Sequence, residues 1–582
     1  MKEGKRLNRR INRKVNREIT EDEINKKKKI IKVGFFTIII AIILLIIMMI
    51  LNNFIVVGKN KKTNLIINNN NITSNLKKDV IIRDDIIYLS TEDIKNFFDP
   101  HIYYEQDIES IVTSYGKKIA TIGFEKNEVK INGAKKEIDA KAIKENGNDY
   151  LPISEMKEVY DIEIENIEKT KVITMDSLKR EQIKGIVSGN VSLKSSTRFL
   201  SKTIDKIKKG DDVIVVDKGK KFSKVRTKNG KVGYIKTKKI DTEFTVREEL
   251  EEEKQIDGKV NLTWDYFSEY ASAPDRRGTK INGVNVVSPA FLYIDDKGNL
   301  RENIGDDGKE YIKWAHDNGY KVWPMVSNTE VSSKDLKITS SIMNSYEKRN
   351  KLIEGILEKS IKYGFDGINI DFENMYKKDK DMFSRFIIEL TPVMKEAGLV
   401  VSVDVTAPDG GDTWSLCYDR EVIGDVADYI VFMAYDQHGN SSLKAGTVAG
   451  YDWVKLNLNK FMKHYDINPE KIILGVPFYT RVWTTNDDYD VIGKKIVSIK
   501  NMDKVIPENA EIKWDDKLKQ NYLKYKDGDN IKEIWIEDEK SLRAKVSLVN
   551  EMNLAGVGSW KKDMETPNIW NMIEEELRKE TK

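Results

Sequence analysis

The segment DGINIDFE, Asp366–Glu373, sets Asn369, Asp371 and Glu373 at alternate positions of a short apolar run. In a strand, residues two apart share one face and climb it by about 6.6 Å, while Ile368, Ile370 and Phe372 take the other face. An amide and two carboxyls thus form a column. Two carboxyls this close resist joint ionisation, so one of the two apparent pKa values rises. A carboxylic acid kept protonated near neutral pH can donate to a leaving oxygen. The competing explanation is a buried polar network that only satisfies itself, a costly use of three residues on one strand. Glu373, at the end of the run, is the one placed to meet a substrate.

Helix-like stretches flank this strand, GILEKSIKYG before it and KDMFSRFIIELTPVMKEAG after it. From about Gly258 onward, seven further β-rich runs alternate with amphipathic segments: KVNLTWDYF, VNVVSPAFLYI, KVWPMVSN, LVVSVDVTAP, YIVFMAYD, IILGVPFYTRVW and LAGVGSW. Strand–helix alternation predicts a parallel sheet. Eight such units predict an α/β fold of the (β/α)8 or TIM-barrel type, whose functional groups gather at the C-terminal strand ends. Those ends carry Asp265, Asn328, Glu373, Asp404, Tyr435, Asp436, Tyr479, Arg481 and Trp560. A doubly wound open sheet is the alternative, but no Gly-rich phosphate loop follows a strand, and GVGSW lacks the spacing of a dinucleotide site. His101, His316, His438 and His464 are scattered without HExxH or CxxC patterns, so no metal and no cofactor is expected. His438 either lines the cleft or stands by it. Cys417, the single cysteine, excludes an intrachain disulfide and reads as structural.

Four of these runs also carry a resemblance. DGINIDFE resembles the strand-four signature of glycoside hydrolase family 18, which includes chitinases and endo-N-acetylglucosaminidases. FMAYD (Phe432–Asp436) is similar to its strand-six motif, GVPFYTRVW (Gly475–Trp483) to its strand-seven segment, and AGVGSW (Ala555–Trp560) to its last strand. The resemblance implies a barrel that hydrolyses β-linked N-acetylglucosamine with retention. It implies Glu373 as general acid/base, Asp371 and Tyr435 at the acetamido group, and Asp366 and Asn369 in support. Trp560, Met433, Asp436, Tyr479, Arg481 and Trp323 are then expected to bind the sugar. The family often has Asp where this chain has Asn369, and an amide cannot share a proton with Asp371. The pH profile is where that difference is expected to tell. Two-carboxylate retaining enzymes set acid and nucleophile about 5–5.5 Å apart on opposite sides of the bond. Asp371 and Glu373 leave one strand on the same side, so the substrate's own N-acetyl oxygen is the expected nucleophile, forming an oxazolinium ion.

The chain of 582 residues is too long for one core, and its 33% charge describes folded domains with very polar surfaces. Val33–Leu51 is nineteen residues without a charge, a match at about 1.5 Å per residue to a hydrocarbon core roughly 30 Å thick. Residues 1–32 hold thirteen Lys or Arg against five Asp or Glu, a balance of +8, whereas the whole chain is +4. The excess on one side of the apolar run places the N-terminus in the cytoplasm and the rest outside the cell. A nucleic-acid-binding arm and a cleaved signal peptide are the alternatives, and no small-residue cleavage site follows the run.

The expected order is therefore a basic tail over 1–32, one transmembrane helix over 33–57 and a flexible Asn- and Lys-rich tether over 58–78. A small α+β domain follows over 79–178, its second half resembling the domain at the N-terminus of copper amine oxidases. Residues 182–243, with five or six short strands and Gly turns, look like an all-β bacterial Src-homology-3-type barrel. A charged linker over 244–257 leads to the catalytic barrel over 258–582. The expected partners are the membrane, through that helix, and a glycan polymer; nucleic acid is not one. The anchor and the neighbouring small barrel favour peptidoglycan over chitin as the polymer. A catalytically silent, lectin-like barrel is the other functional class, but such relatives typically lose the residue that stands here as Glu373.

Overall fold

The structure, a computed structural model, describes residues 29, 37, 39, 40, 43, 63–198, 201–249, 256–329, 334–408 and 410–579. The chain divides into two compact units, Met1–Leu76 with Ile162–Leu250, and Lys77–Asp161 with Glu251–Lys582.

The second unit holds the barrel. Its strands are Val260–Asp265, a second in two pieces (Val286–Pro289 and Leu292–Ile294), a third in two pieces (Lys321–Val322 and Met325–Ser327), Gly367–Asp371, Val400–Val405, Tyr429–Met433, Ile472–Pro477 and Gly556–Trp560. Neighbours in this ring are all parallel, and the pairing of Val260 with Gly556 closes it. The second and third strands break next to Pro289 and Pro324, residues with no N–H to give to a ladder. Helices follow the strands, as the alternation requires. The helix Tyr346–Tyr363 before the fourth strand starts where the Ser345 side chain accepts from the Lys348 N–H, and stops at Gly364, whose φ of +68° suits glycine.

Alternation along each strand sorts two cores. Ile368, Ile370 and Phe372 face outward to the helix Lys380–Glu396, where Phe372 stacks on Phe383 and Phe386 with ring centroids 6.0 and 5.8 Å away. Leu262, Trp264, Trp323, Met325, Val431 and Ile473 fill the lumen. Each large side chain so buried contributes on the order of 1.5–3 kcal/mol. The lumen closes tightly because the last strand offers Gly558 to the Trp264 ring; a Cβ there would stand 3.0 Å from it.

One segment departs from the expected pattern. IILGVPFYTRVW is not a single strand. The barrel strand ends at Pro477, Phe478 packs on Trp570, and Tyr479–Thr485 opens a separate five-stranded antiparallel sheet with Val491–Ser498, Ile512–Asp515, Gln520–Asp527 and Asn530–Ile536. This insertion lies between the seventh strand and its helix, Glu539–Glu551.

The same unit contains Lys77–Asp161, whose five-stranded antiparallel sheet runs from Tyr103 to Glu137. Arg349, from a barrel helix, donates to Glu389 at 2.9 and 2.8 Å and to Glu105 of that sheet at 2.7 Å. In the other unit, Asn64–Ile67 runs parallel to Val172–Ser177, and residues 182–247 form one seven-stranded antiparallel sheet. A buried pair, Arg226 and Asp176, ties these two sheets together. The expected tether is thereby corrected: Asn64–Ile67 is a buried strand, because its Leu and Ile pair have a sheet to join. The single α+β domain expected over 79–178 is divided between the two units. No helix among the described residues is long and apolar enough to cross a membrane, and the expected anchor lies, apart from Thr37, Ile39, Ile40 and Ile43, outside them.

Candidate active site

The fourth strand does carry a polar column. Asn369 is fully buried, Asp371 is the last strand residue, and Glu373 follows as the chain leaves the barrel. Two contacts fix the exit. The Glu373 N–H donates to Asn328 Oδ1 at 2.8 Å, and Asn328 Nδ2 donates back to the Glu373 carbonyl at 3.0 Å. The Tyr418 hydroxyl donates to the Phe372 carbonyl at 2.8 Å. The backbone beneath the acid is therefore held on both sides.

Asn369 does not turn to Asp371. Its Oδ1 accepts from Trp264 Nε1 at 2.9 Å, and its Nδ2 donates to Asp404 Oδ1 at 2.7 Å and to Ser402 Oγ at 3.0 Å. The amide thus acts as a relay between the lumen tryptophan and a third carboxyl, supplied by the fifth strand. Burial pushes the Asp371 carboxyl up to about 7. Burial also raises Glu373 well above the usual carboxylate range, and the charges of Asp371 and Asp436 add to this. Asp404 rises for the same reason, burial first and then Asp371, against the opposing hydrogen bond from Asn369. The main influences on these three carboxyls include no lysine, arginine or histidine of the described residues.

The turn after the sixth strand and the first strand of the inserted sheet supply another wall. Tyr435 stands edge-on to Tyr479 with ring centroids 6.3 Å apart, and burial followed by the Asp404 charge keeps its hydroxyl protonated. Asp436, at φ +56°, accepts from the Tyr479 hydroxyl at 2.7 Å and from Arg481 Nη2 at 2.8 Å. Met433 ends the sixth strand and is buried. Trp560 ends the eighth strand, edge-on to Trp264 at 5.9 Å and tilted against Tyr266 at 5.8 Å. The site thus gathers carboxyl, phenol and indole groups at one end of the barrel, able to hold one neutral acid and to face a polar substituent with carboxyl and phenol groups.

Two expected site residues lie elsewhere. Asp366 precedes the fourth strand, at the end opposite Glu373, and accepts from the Val322 N–H at 3.0 Å and Lys321 Nζ at 2.9 Å, with His316 Nε2 also at 2.9 Å. Burial raises its carboxyl, but these three donors outweigh it and hold it below the usual range. It pins the base of the strand. Trp323 is fully buried at the same end, stacked on Tyr429 at 5.6 Å and pressed against Gly367, where a Cβ would stand 2.7 Å from its ring. It is core. Asp265, at the end of the first strand, turns outward to Arg276 and Tyr311. Asn328 and Asp404 are strand-end residues whose tasks no motif announces, while Tyr418 sits in a loop with no signal at all. His438 Nδ1 lies 3.1 Å from the Thr447 carbonyl. Cys417 is buried, and burial pushes its thiol up to about 11.

Known proteins share parts of this sequence. The profile of the glycosyl hydrolases family 18 matches residues 263–565, and that of the copper amine oxidase N-terminal domain matches residues 51–175. The chain is 28% identical over 296 residues to the uncharacterized glycosylase YvbX of Bacillus subtilis, covering 50% of this chain and 84% of that protein. It is 25% identical over 261 residues to the cortical fragment-lytic enzyme of Bacillus subtilis, covering 44% of this chain and 59% of the relative. Among solved structures, a chitinase from Chromobacterium violaceum is similar with a TM-score of 0.48 and 22% identity, over 55% of this chain and 99% of that one. With the profile spanning more than half of its length, from the first barrel strand to beyond the last, this chain belongs to glycosyl hydrolases family 18.

Proposed function

We propose that this glycosidase cleaves β-1,4 bonds of an N-acetylglucosamine-containing glycan, peptidoglycan in preference to chitin, with the substrate's acetamido group as nucleophile. The observation that carries the reading is the cluster of Glu373, Asp371 and Asp404, in which burial raises all three carboxyls and the Asp371 charge raises the other two further. In this scheme Glu373 gives its proton to the leaving glycosidic oxygen. The acetamido oxygen attacks the anomeric carbon from the other side, and an oxazolinium ion forms as that bond breaks. Asp371 holds the acetamido N–H and offsets the positive charge that develops. The Tyr435 hydroxyl donates to the acetamido oxygen and sets its angle. Water then adds to the anomeric carbon with Glu373 as base, which restores the amide and keeps the configuration.

The choice of polymer has separate support. A cortical fragment-lytic enzyme is among the relatives, though only over 59% of its length. The apolar run Val33–Leu51 behind a strongly basic tail favours a membrane anchor with the barrel held outside, against the wall. The test is digestion of purified peptidoglycan followed by borohydride reduction and mass spectrometry. A new N-acetylglucosaminitol end supports the reading; a muramitol end, or no new end while chitin is degraded, overturns it.

A further inference from the structure

Beside Trp560 lies a cleft of about 690 Å³ that the glycosidase chemistry above does not use. Three segments wall it: the loop after the first strand with Tyr266 and Arg276, the residues after the last strand with Lys561 and Lys562, and the second strand of the inserted sheet with the turn that follows, Lys495–Val505. The Tyr266 ring, tilted against Trp560, joins the cleft to the sugar site.

Its charge is one-sided. Six cations line it, Arg276, Lys495, Lys500, Lys504, Lys561 and Lys562, against Asp265 and Asp563. Both carboxylates are already engaged: Arg276 donates to Asp265 and Asp563, and Lys562 to Asp563 and Glu565. Among the described residues, the remaining lysines have no such partner. Lys561 Nζ donates to the Tyr266 carbonyl at 2.9 Å and Lys504 Nζ to Asn501 Oδ1 at 2.8 Å, neutral acceptors both. Lys495 and Lys500 are exposed on the wall. Burial lowers the Lys561 ammonium, and Arg276 and Lys500 lower it further, against the pull of Asp265 and Asp563. A half-buried ammonium beside other cations gains most from an anion brought by a ligand.

We infer that this cleft receives a carboxylate carried on the glycan, either the lactyl acid of a muramic-type sugar or the peptide attached through it, while Tyr266 and Trp560 hold the sugar ring. The inference rests on the glycosidase reading and sharpens it, since chitin carries no such group. Carboxylates paired with lysine in a cleft are bound more strongly than on an open surface, because less of the field is screened.

The experiment measures binding in the Glu373→Gln background, where no turnover interferes, with three probes of equal length: amidase-stripped peptidoglycan strands bearing free lactyl acids, strands with their peptides, and neutral chito-oligosaccharide. The charged strands should bind about tenfold more tightly than the neutral one, with Lys495→Gln/Lys500→Gln and added salt each removing the difference. Preference for stripped strands assigns the lactyl acid, and preference for peptide-bearing strands assigns the peptide. Equal affinity for charged and neutral glycan, or a preference that survives the double substitution, overturns the inference. Should the wild type cleave none of the three while the lysine-dependent preference stands, the glycosidase reading fails and the cleft survives. Should it cleave strands and chito-oligosaccharide alike without that preference, the reverse holds.

Discussion

Glu105 and Glu389 are as deeply buried as Asp371 and Asp404, at 5% and 3% exposed against 6% and 2%. Arg349 lies between the first two, donates to both, and takes the Met343 carbonyl as well. The second two share their space with Glu373, and Asp404 takes neutral donors, from Asn369 and Trp264. Glu537 repeats the first arrangement, fully buried against Lys545. Equal burial thus leads to opposite chemistry. A carboxyl bound to a buried cation joins two elements, whereas Glu373, raised by burial and by its neighbouring carboxyls, holds its proton and can give it away.

Substitutions separate the two kinds. Glu373→Gln keeps the shape and removes the acid, so turnover of soluble glycan should fall by about 10²–10⁴-fold with the melting temperature unchanged or raised. A fall in stability instead would put Glu373 with the structural pairs. Arg349→Met does the converse, leaving Glu105 and Glu389 buried without a cation. Urea titration should show a loss of about 3–5 kcal/mol, with turnover per folded molecule unchanged. A variant as stable as the wild type would show that Arg349 joins nothing.

Titration gives a smaller contrast. A carboxyl whose pKa is higher folded than unfolded takes up a proton on folding between the two values, so stability falls as pH rises through that window. For Asp371 the window runs from about 4, the ordinary value for aspartate, to about 7 in the fold. The urea midpoint of the wild type should therefore drop more between pH 4.5 and pH 8 than that of Asp371→Asn, and parallel curves would contradict the raised pKa. The smallest effect is expected from Asn369→Asp, which replaces the donor to Asp404 with a further acid. The alkaline limb of the rate profile should move up by about half to one pH unit; an unmoved limb would show that the relay does not reach Glu373.

Much of this contrast was legible in the sequence. Period-two alternation alone put Asn369, Asp371 and Glu373 on one face and Phe372 on the other, because a strand has no third choice. Strand order and barrel closure followed from eight alternating units. Partners were harder to read. That Asn369 turns to Asp404 depends on how the fourth and fifth strands are staggered, and the pairing of Asn369 with Ser402 is not written in either segment. The positions of Asp366 and Trp323 are illegible for a related reason: motif membership does not say which end of a strand a residue occupies. The split at Phe478 was hidden because both halves of IILGVPFYTRVW are apolar and β-prone. Asn64–Ile67 was hidden because its partner, Val172–Ser177, lies more than a hundred residues away.

The proposed mechanism stands on a nucleophile that belongs to the substrate. Its most direct test compares hydrolysis of one glycan before and after chemical removal of its N-acetyl groups, with binding followed in parallel. The glycosidic bonds are the same in both, and a protein carboxylate acting as nucleophile would still find its target. The de-N-acetylated glycan should be inert, and a thiazoline mimic of the oxazolinium ion should compete for the site more tightly than the substrate does. Hydrolysis of the stripped glycan at a comparable rate, with a sugar trapped covalently on an Asp or Glu of this chain, would contradict that mechanism.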